Sequence, residues 1–128
     1  MYKILYLVTG GAIGTVARYL ISGVAQKYMG SGFPWGTLVV NVTGAFIIGL
    51  IWGLFETVEI RSGFRVFVFI GILGGFTTFS SFALETMNLY KQGEIKMAIF
   101  NILANNILAI VLVFVGFIAA RALLGILK

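Results

Sequence analysis

The chain has 128 residues, room for one small domain, and is 60% hydrophobic with only 10% charged residues, so it reads as a membrane protein. It holds no Cys and no His, which removes disulfides, thiol chemistry and the commonest acid/base group and metal ligand, and leaves an enzyme the least favoured class. The net charge of +5 suits anionic lipid at the membrane edge and an anionic solute; no nucleic-acid partner is expected.

About 20 apolar residues cross a bilayer, and four segments qualify, at about 4–25, 35–55, 66–90 and 97–124. The first is uncharged from Ile4 to Ala17 and then carries Arg18. No small-residue cleavage site follows it, so no signal peptide is expected. Gly10, Gly11 and Gly14 share one side of a helix and suit close packing against another helix. Arg18 lies near the far end of the crossing. It reads either as a snorkelling anchor or as a buried structural or anion-attracting cation. A loop is expected from Gln26 to Phe33, closed by Pro34, the only proline, at the start of the second span. Trp35 beside it suits the interface.

The second span carries Thr37, Asn41 and Gly44 along one helical face. An amide in hydrocarbon needs partners, so Asn41 faces protein or water, either as interhelical glue or as a pore-lining donor. Glu56 to Arg65 reads as a charged, solvated connector.

In the third span the apolar run from Val66 is interrupted by Gly74, Gly75, Thr77, Thr78, Ser80 and Ser81, with Phe79 and Phe82 three residues apart. Hydrocarbon does not tolerate irregular backbone unless protein or a wet cavity covers it, so this stretch predicts a site for something small and polar. Glu85 follows and reads as an interfacial residue. The fourth span is uncharged from Met97 to Ala120. Its Asn101 and Asn105 share one face, with Asn106 adjacent, and mark a surface turned to other helices or water.

Four spans place both termini on one side. Lys3, Arg61, Arg65, Arg121 and Lys128 then oppose Arg18, Lys27, Lys91 and Lys96, five against four. The positive-inside rule needs an imbalance to fix orientation, and here it has almost none. Either insertion is therefore open, and two copies can pair head to tail. The fold expected is an all-α integral membrane protein of four transmembrane helices, the third broken near mid-membrane, assembled as an antiparallel, dual-topology homodimer.

The stretch Gly36-Thr37-Leu38-Val39-Val40-Asn41-Val42-Thr43-Gly44, with Gly74-Gly75-Phe76-Thr77-Thr78-Phe79-Ser80-Ser81-Phe82 and Glu85, resembles the Fluc (CrcB) fluoride channels, and the resemblance covers the whole chain. It implies a passive, fluoride-selective channel with two pores at the interface of an antiparallel dimer. It also implies a place in a prokaryotic cytoplasmic membrane, where the channel releases fluoride that accumulates as HF. By this resemblance Phe79 and Phe82 line the pores, Asn41 stands beside them, and Arg18 lies near the vestibule. Gly74 and Thr77 offer backbone carbonyls to a central structural Na⁺ on the two-fold axis. Thr78, Ser81, Asn101 and Asn105 join the pore set as donors, although family members often carry Tyr and Ser where Asn101 and Asn105 stand.

Two rival readings differ in class. A small multidrug-type exporter is also short and four-spanning, but calls for a carboxylate in its first span, where this chain has none. A non-transporting assembly subunit would use every polar group as packing glue.

Overall fold

The computed structural model describes residues 1–56 and 58–126; Lys128, counted in the charge balance, lies outside them. Among the described residues, four helical stretches are long and apolar enough to cross a membrane: Tyr2–Met29, Trp35–Phe55, Ser62–Lys91 and Ile95–Ile126. The shortest, with 21 residues, is about 32 Å long at ~1.5 Å per residue, close to the thickness of a bilayer core. We label them α1 (Tyr2–Met29), α2 (Trp35–Phe55), α3 (62–76), α4 (Phe79–Lys91) and α5 (Ile95–Ile126). The third crossing is thus divided between α3 and α4.

Two helices run past their apolar stretches. α1 continues through Gln26 to Met29, residues expected in a loop, and ends where Gly30 takes a φ of 105°. That left-handed turn is one that glycine makes without steric strain. The Gln26 side chain then folds over the turn. Its Nε2 donates to the carbonyls of Gly30 and Phe33, and its Oε1 accepts from the Gly36 N–H at 3.1 Å. It so replaces a partner that the first turn of α2 lacks. α3 likewise begins at Ser62, inside the expected connector.

Apolar surface faces outward on every helix, as lipid contact requires, and hydrocarbon gives the helices no hydrophobic reason to associate. Close backbone approach supplies the contact instead. α1 packs on α3, and α2 on α5. A Cβ on Gly71 would sit 2.9 Å from the Gly10 Cα, and one on Gly14 would overlap the Ile72 carbonyl. On the other side, Gly49 lies against the Val113 carbonyl and Gly116 against that of Phe46. The small apolar core of Phe33, Leu38 and Ala104 closes one end, where the Phe33 ring meets Trp35 at 4.7 Å and Phe100 at 5.1 Å.

Two wide π-helical turns interrupt the α geometry, Val66–Leu73 in α3 and Ala104–Leu108 in α5. Such turns shift the face that side chains present and recur at functional sites. Here both run to the edge of one hollow of about 430 Å³, lined by Phe69 and Leu73 from the first and Asn105 and Asn106 from the second.

Candidate ion pathway

The chain leaves the helix at Thr77 (φ −86°, ψ 159°) and Thr78 (φ −152°, ψ 123°). The glycines expected to make the interruption do not: Gly74 and Gly75 remain helical. Gly75 serves close approach instead, since a Cβ there would lie 2.8 Å from the Gly11 carbonyl. The extended pair is made of the two threonines because each has side-chain or foreign partners for its backbone. Thr77 N–H and its hydroxyl both donate to the Leu73 carbonyl, at 3.0 and 2.9 Å, which closes the end of α3. Thr78 caps α4, its Oγ1 accepting from the Ser81 N–H at 3.2 Å.

The remaining backbone groups of the interruption find partners on other helices. Arg18 Nη1 donates to the Thr77 carbonyl at 3.3 Å, so the α1 cation reaches the interrupted backbone and does not snorkel away from it. Asn41 of α2 takes both sides of Thr78. Its Oδ1 accepts from the Thr78 N–H at 2.8 Å and its Nδ2 donates to the Thr78 carbonyl at 3.0 Å. The same Nδ2 donates to Asn105 Oδ1 at 2.9 Å. Asn105 donates to the carbonyl and Oδ1 of Asn101, and Asn101 Nδ2 donates to Thr86 Oγ1 at 2.9 Å. Asn101 is fully buried and Asn105 nearly so, while Asn106 is exposed and turns back to the Ile102 carbonyl. The Thr37, Asn41, Gly44 face of α2 therefore looks at the third crossing along its length: Gly44 lies against the Thr77 methyl, and Thr37 Oγ1 donates to Glu85 Oε1 at 2.6 Å.

Phe79 and Phe82 stand just beyond, in the first turn of α4. Their ring centroids are 5.2 Å apart with planes at 64°, an edge contact. Phe82 is 6% exposed and Phe79 73%. One ring is therefore fixed within the chain and the other is offered outward. Both line the 430 Å³ hollow, together with Asn41, Gly74, Thr77, Thr78 and Asn105. A second cavity of about 310 Å³ lies on the α1 side of the interruption and is lined by Arg18, Thr37, Thr78, Ser81 and Glu85. Thr78 Oγ1 donates to Ser81 Oγ at 3.0 Å, which leaves the Ser81 hydroxyl hydrogen to point elsewhere.

Of the residues expected at the pore, the vestibule or a cation, all line one of these two cavities apart from Asn101, which backs Asn105 from behind. Three participants went unassigned. Glu85, read as interfacial, turns inward to Thr37, and its Oε2 is buried without a partner among the described residues. Thr86 receives Asn101 and donates to the Phe82 carbonyl at 2.8 Å. Gln26 orders the entry to α2. The spacing of Thr86, four residues after Phe82 on one helical face, was a signal for the second; nothing local marked the others.

The arrangement is electrostatically polarised. α3 ends toward the hollow with its carbonyls, the negative end of a helix, and α4 begins there with its N–H groups, the positive end. Interrupted helices of this kind present anion and cation sites back to back within a membrane. Among the described residues no cluster of His, Cys, Asp or Glu could hold a metal ion. Oxygen ligands from backbone remain available, and these suit a hard cation.

The model of the family described as "CrcB-like protein, Camphor Resistance (CrcB)" matches residues 5–117. The chain is 46% identical over 128 residues to a fluoride-specific ion channel FluC of Parabacteroides distasonis, with all of both chains covered. It is 46% identical over 116 residues to a protein of the same name from Shewanella amazonensis, covering 91% of this chain and 94% of that one. A relative of that name from Pyrococcus abyssi is also 46% identical, over 118 residues, with the same shares covered.

Proposed function

We propose, from the premise that this chain belongs to the CrcB family, that it is a passive, fluoride-selective ion channel. The observation that carries the reading is the end-to-end likeness to proteins named fluoride-specific ion channels, 46% identical to this chain and covered over 91% or more of its length.

Fluoride is small and strongly hydrated, so a pathway must replace its water with donors and leave it free to go. The Ser81 hydroxyl, beside Thr78 and Phe82 at the start of α4, is such a donor. The positive edges of the Phe79 and Phe82 rings add weak attraction without tight binding. The N-terminal dipole of α4 and the Arg18 cation lower the cost of bringing negative charge inward. Asn41, Asn101 and Asn105 form the polar wall behind these groups. The 310 Å³ cavity with Arg18, Thr37 and Glu85 is the vestibule of this pathway.

The pathway is completed by a second copy. Two chains inserted in opposite orientations form an antiparallel homodimer with two pores at their interface, and two things support this. The charge balance favours neither orientation, and the 73% exposed Phe79 beside the open 430 Å³ hollow is a face awaiting a partner. The same pairing bears on Na⁺. Gly74 and Thr77 both line the hollow, and their carbonyls fit an oxygen-only cation site. The Thr77 carbonyl keeps a lone pair beyond the one that Arg18 uses. Two carbonyls do not fill a cation's shell, whereas the four of a two-fold pair, with help, approach it. Bound Na⁺ would supply a fixed positive charge at the centre of the dimer. The setting is a prokaryotic cytoplasmic membrane, where the channel lets accumulated fluoride leave the cell.

The test is efflux from liposomes holding the purified protein, read by fluoride and chloride electrodes side by side with the voltage set by K⁺ and valinomycin. Fast fluoride flux with almost no chloride flux is expected. No flux from well-folded dimers would remove the channel reading, and flux that requires a proton gradient would replace it with coupled export. Tags on both termini, probed in intact cells, are expected to report both orientations; a single orientation would sink the antiparallel dimer.

A further inference from the structure

Thr86 lines neither cavity, yet its hydroxyl is engaged on both sides. Its Oγ1 donates to the Phe82 carbonyl one turn back at 2.8 Å and accepts from Asn101 Nδ2 of α5 at 2.9 Å. A threonine inside a helix commonly turns its hydroxyl hydrogen back to the carbonyl four residues earlier. Thr9 of α1 does this to Leu5 at 2.7 Å, on an exposed face. Such a bond is local and carries nothing further. At Thr86 the oxygen is taken as well, by a fully buried amide from another helix.

We infer that Thr86 is a positioning residue: its hydroxyl sets the direction in which the carboxamides of Asn101, Asn105 and Asn41 face, and ties that row to the backbone of Phe82. Its effect on the ion passes through those amides and that ring. The functional half of this inference rests on the channel reading above; the structural half does not.

The sense of the hydrogen bonds carries the argument. A backbone carbonyl can only accept. With its hydrogen on the Phe82 carbonyl, Thr86 has only lone pairs for Asn101, so Asn101 must turn its NH₂ to Thr86 and its Oδ1 away. That Oδ1 accepts from Asn105 Nδ2 at 2.9 Å, and Asn105 Oδ1 in turn accepts from Asn41 Nδ2 at 2.9 Å. Four donors in succession, on Asn41, Asn105, Asn101 and Thr86, thus point one way. The far end agrees: the Thr78 N–H holds Asn41 Oδ1 at 2.8 Å, which leaves Nδ2 for Asn105. Reversing one amide would set NH₂ against NH₂ on one side and oxygen against oxygen on the other. Aligned bonds in a low-dielectric interior strengthen one another. Asn41 and Asn105 line the hollow, so the direction fixed at Thr86 reaches the wall that faces it. The carbonyl at the end of the row belongs to Phe82, whose ring lines the same hollow and meets Phe79 edge on.

Substitutions isolate the hydroxyl. Thr86→Val keeps the shape and removes both bonds. It leaves the buried Asn101 NH₂ without its acceptor and frees that amide to turn over. Thr86→Ser keeps the hydroxyl and loses only a methyl group.

The experiment joins the liposome flux assay to NMR of the full-length protein in nanodiscs, labelled with ¹⁵N only at asparagine. Asn106, bonded to the Ile102 carbonyl, stands outside the row and serves as the control. In Thr86→Val the NH₂ signals of Asn101, Asn105 and Asn41 are all expected to move, and that of Asn106 to stay. Fluoride flux per folded protein is expected to fall about fivefold, the worth of one net hydrogen bond, and Thr86→Ser to match the wild type. Unmoved Asn105 and Asn41 signals in Thr86→Val would overturn the inference, because the hydroxyl would then be a local packing bond. Unchanged flux in Thr86→Val, or an equal loss in Thr86→Ser, would overturn it as well. Should Thr86→Val not fold, Thr86→Cys, whose thiol is a weak donor and acceptor, is read by the same measurements, with the same outcomes counting for and against. A wild type that passes no fluoride would remove the channel reading, while the amide signals would still uphold or overturn the direction-setting role of Thr86.

Discussion

Before the interruption, α3 meets α1 backbone to backbone: Gly71 lies on Gly10, and Gly14 on the Ile72 carbonyl. After it, α4 is held by polar side chains reaching in from α2 and α5, through Thr37 to Glu85, Asn41 to Thr78 and Asn101 to Thr86. These two halves of one crossing are secured by different physics. Steric contact between glycines rises steeply when a single methyl is added, but carries no chemical information. Interhelical hydrogen bonds in a membrane are each worth about 0.6 kcal/mol on average, yet each fixes a named donor and acceptor. The steric half anchors the crossing; the hydrogen-bonded half carries the groups proposed above to meet the ion.

The widest break in this comparison is Gly71→Val. Its branched side chain has no room beside the Gly10 backbone, and we expect a loss of about 3 kcal/mol, measured as a fall in the thermal unfolding temperature in detergent. Fluoride flux per folded protein should change little. Next is Phe82→Ile in α4, which removes a ring edge and keeps an apolar side chain of fair bulk. Fluoride flux should fall on the order of tenfold, about 1.4 kcal/mol in the barrier, while the size-exclusion profile stays that of the wild type. Unchanged flux would remove the ring-edge mechanism. The smallest effect is expected at Thr37. Thr37→Val takes from Glu85 the hydroxyl that donates to its Oε1, while Oε2 has no partner among the described residues, and should cost about 1 kcal/mol of stability with reduced flux. Thr37→Ser keeps the hydroxyl and should behave as wild type in both assays. Equal behaviour of the two variants would mean that the Glu85 contact matters to neither half.

Much of this comparison could be read from the residues. Long uncharged runs gave four helices of spanning length, because hydrocarbon forces backbone groups to pair within a segment. The stripe of Thr37, Asn41 and Gly44 pointed to one face, and that face meets the third crossing. Other features depend on distant neighbours. The π-helical turns at Val66–Leu73 and Ala104–Leu108 leave no mark in local composition. The adjacent glycines at 74 and 75 looked like the interruption, but both stay helical, Gly75 packed against α1, and the extended residues are the two threonines that follow. Glu85 finds Thr37 across 48 positions of chain, a pairing that no helical period encodes. Gln26 sat in an expected loop, so its role as a cover for the next helix could not be drawn from spacing.

One feature of the frame bears on what such a pathway can do for a cell. The turns at residues 30–34 and 92–94 are short, each set by a glycine with positive φ, at Gly30 and Gly93, and the first is tied down by Gln26. Such short joints hold the neighbouring helix ends close together. A passive pathway lets its ion run only downhill. For an anion this is sufficient. Each 100 mV of inside-negative potential is worth about 2.3 kcal/mol per charge, which at equilibrium lowers the internal concentration on the order of 50-fold. The membrane voltage, maintained by other proteins, does the work of expulsion.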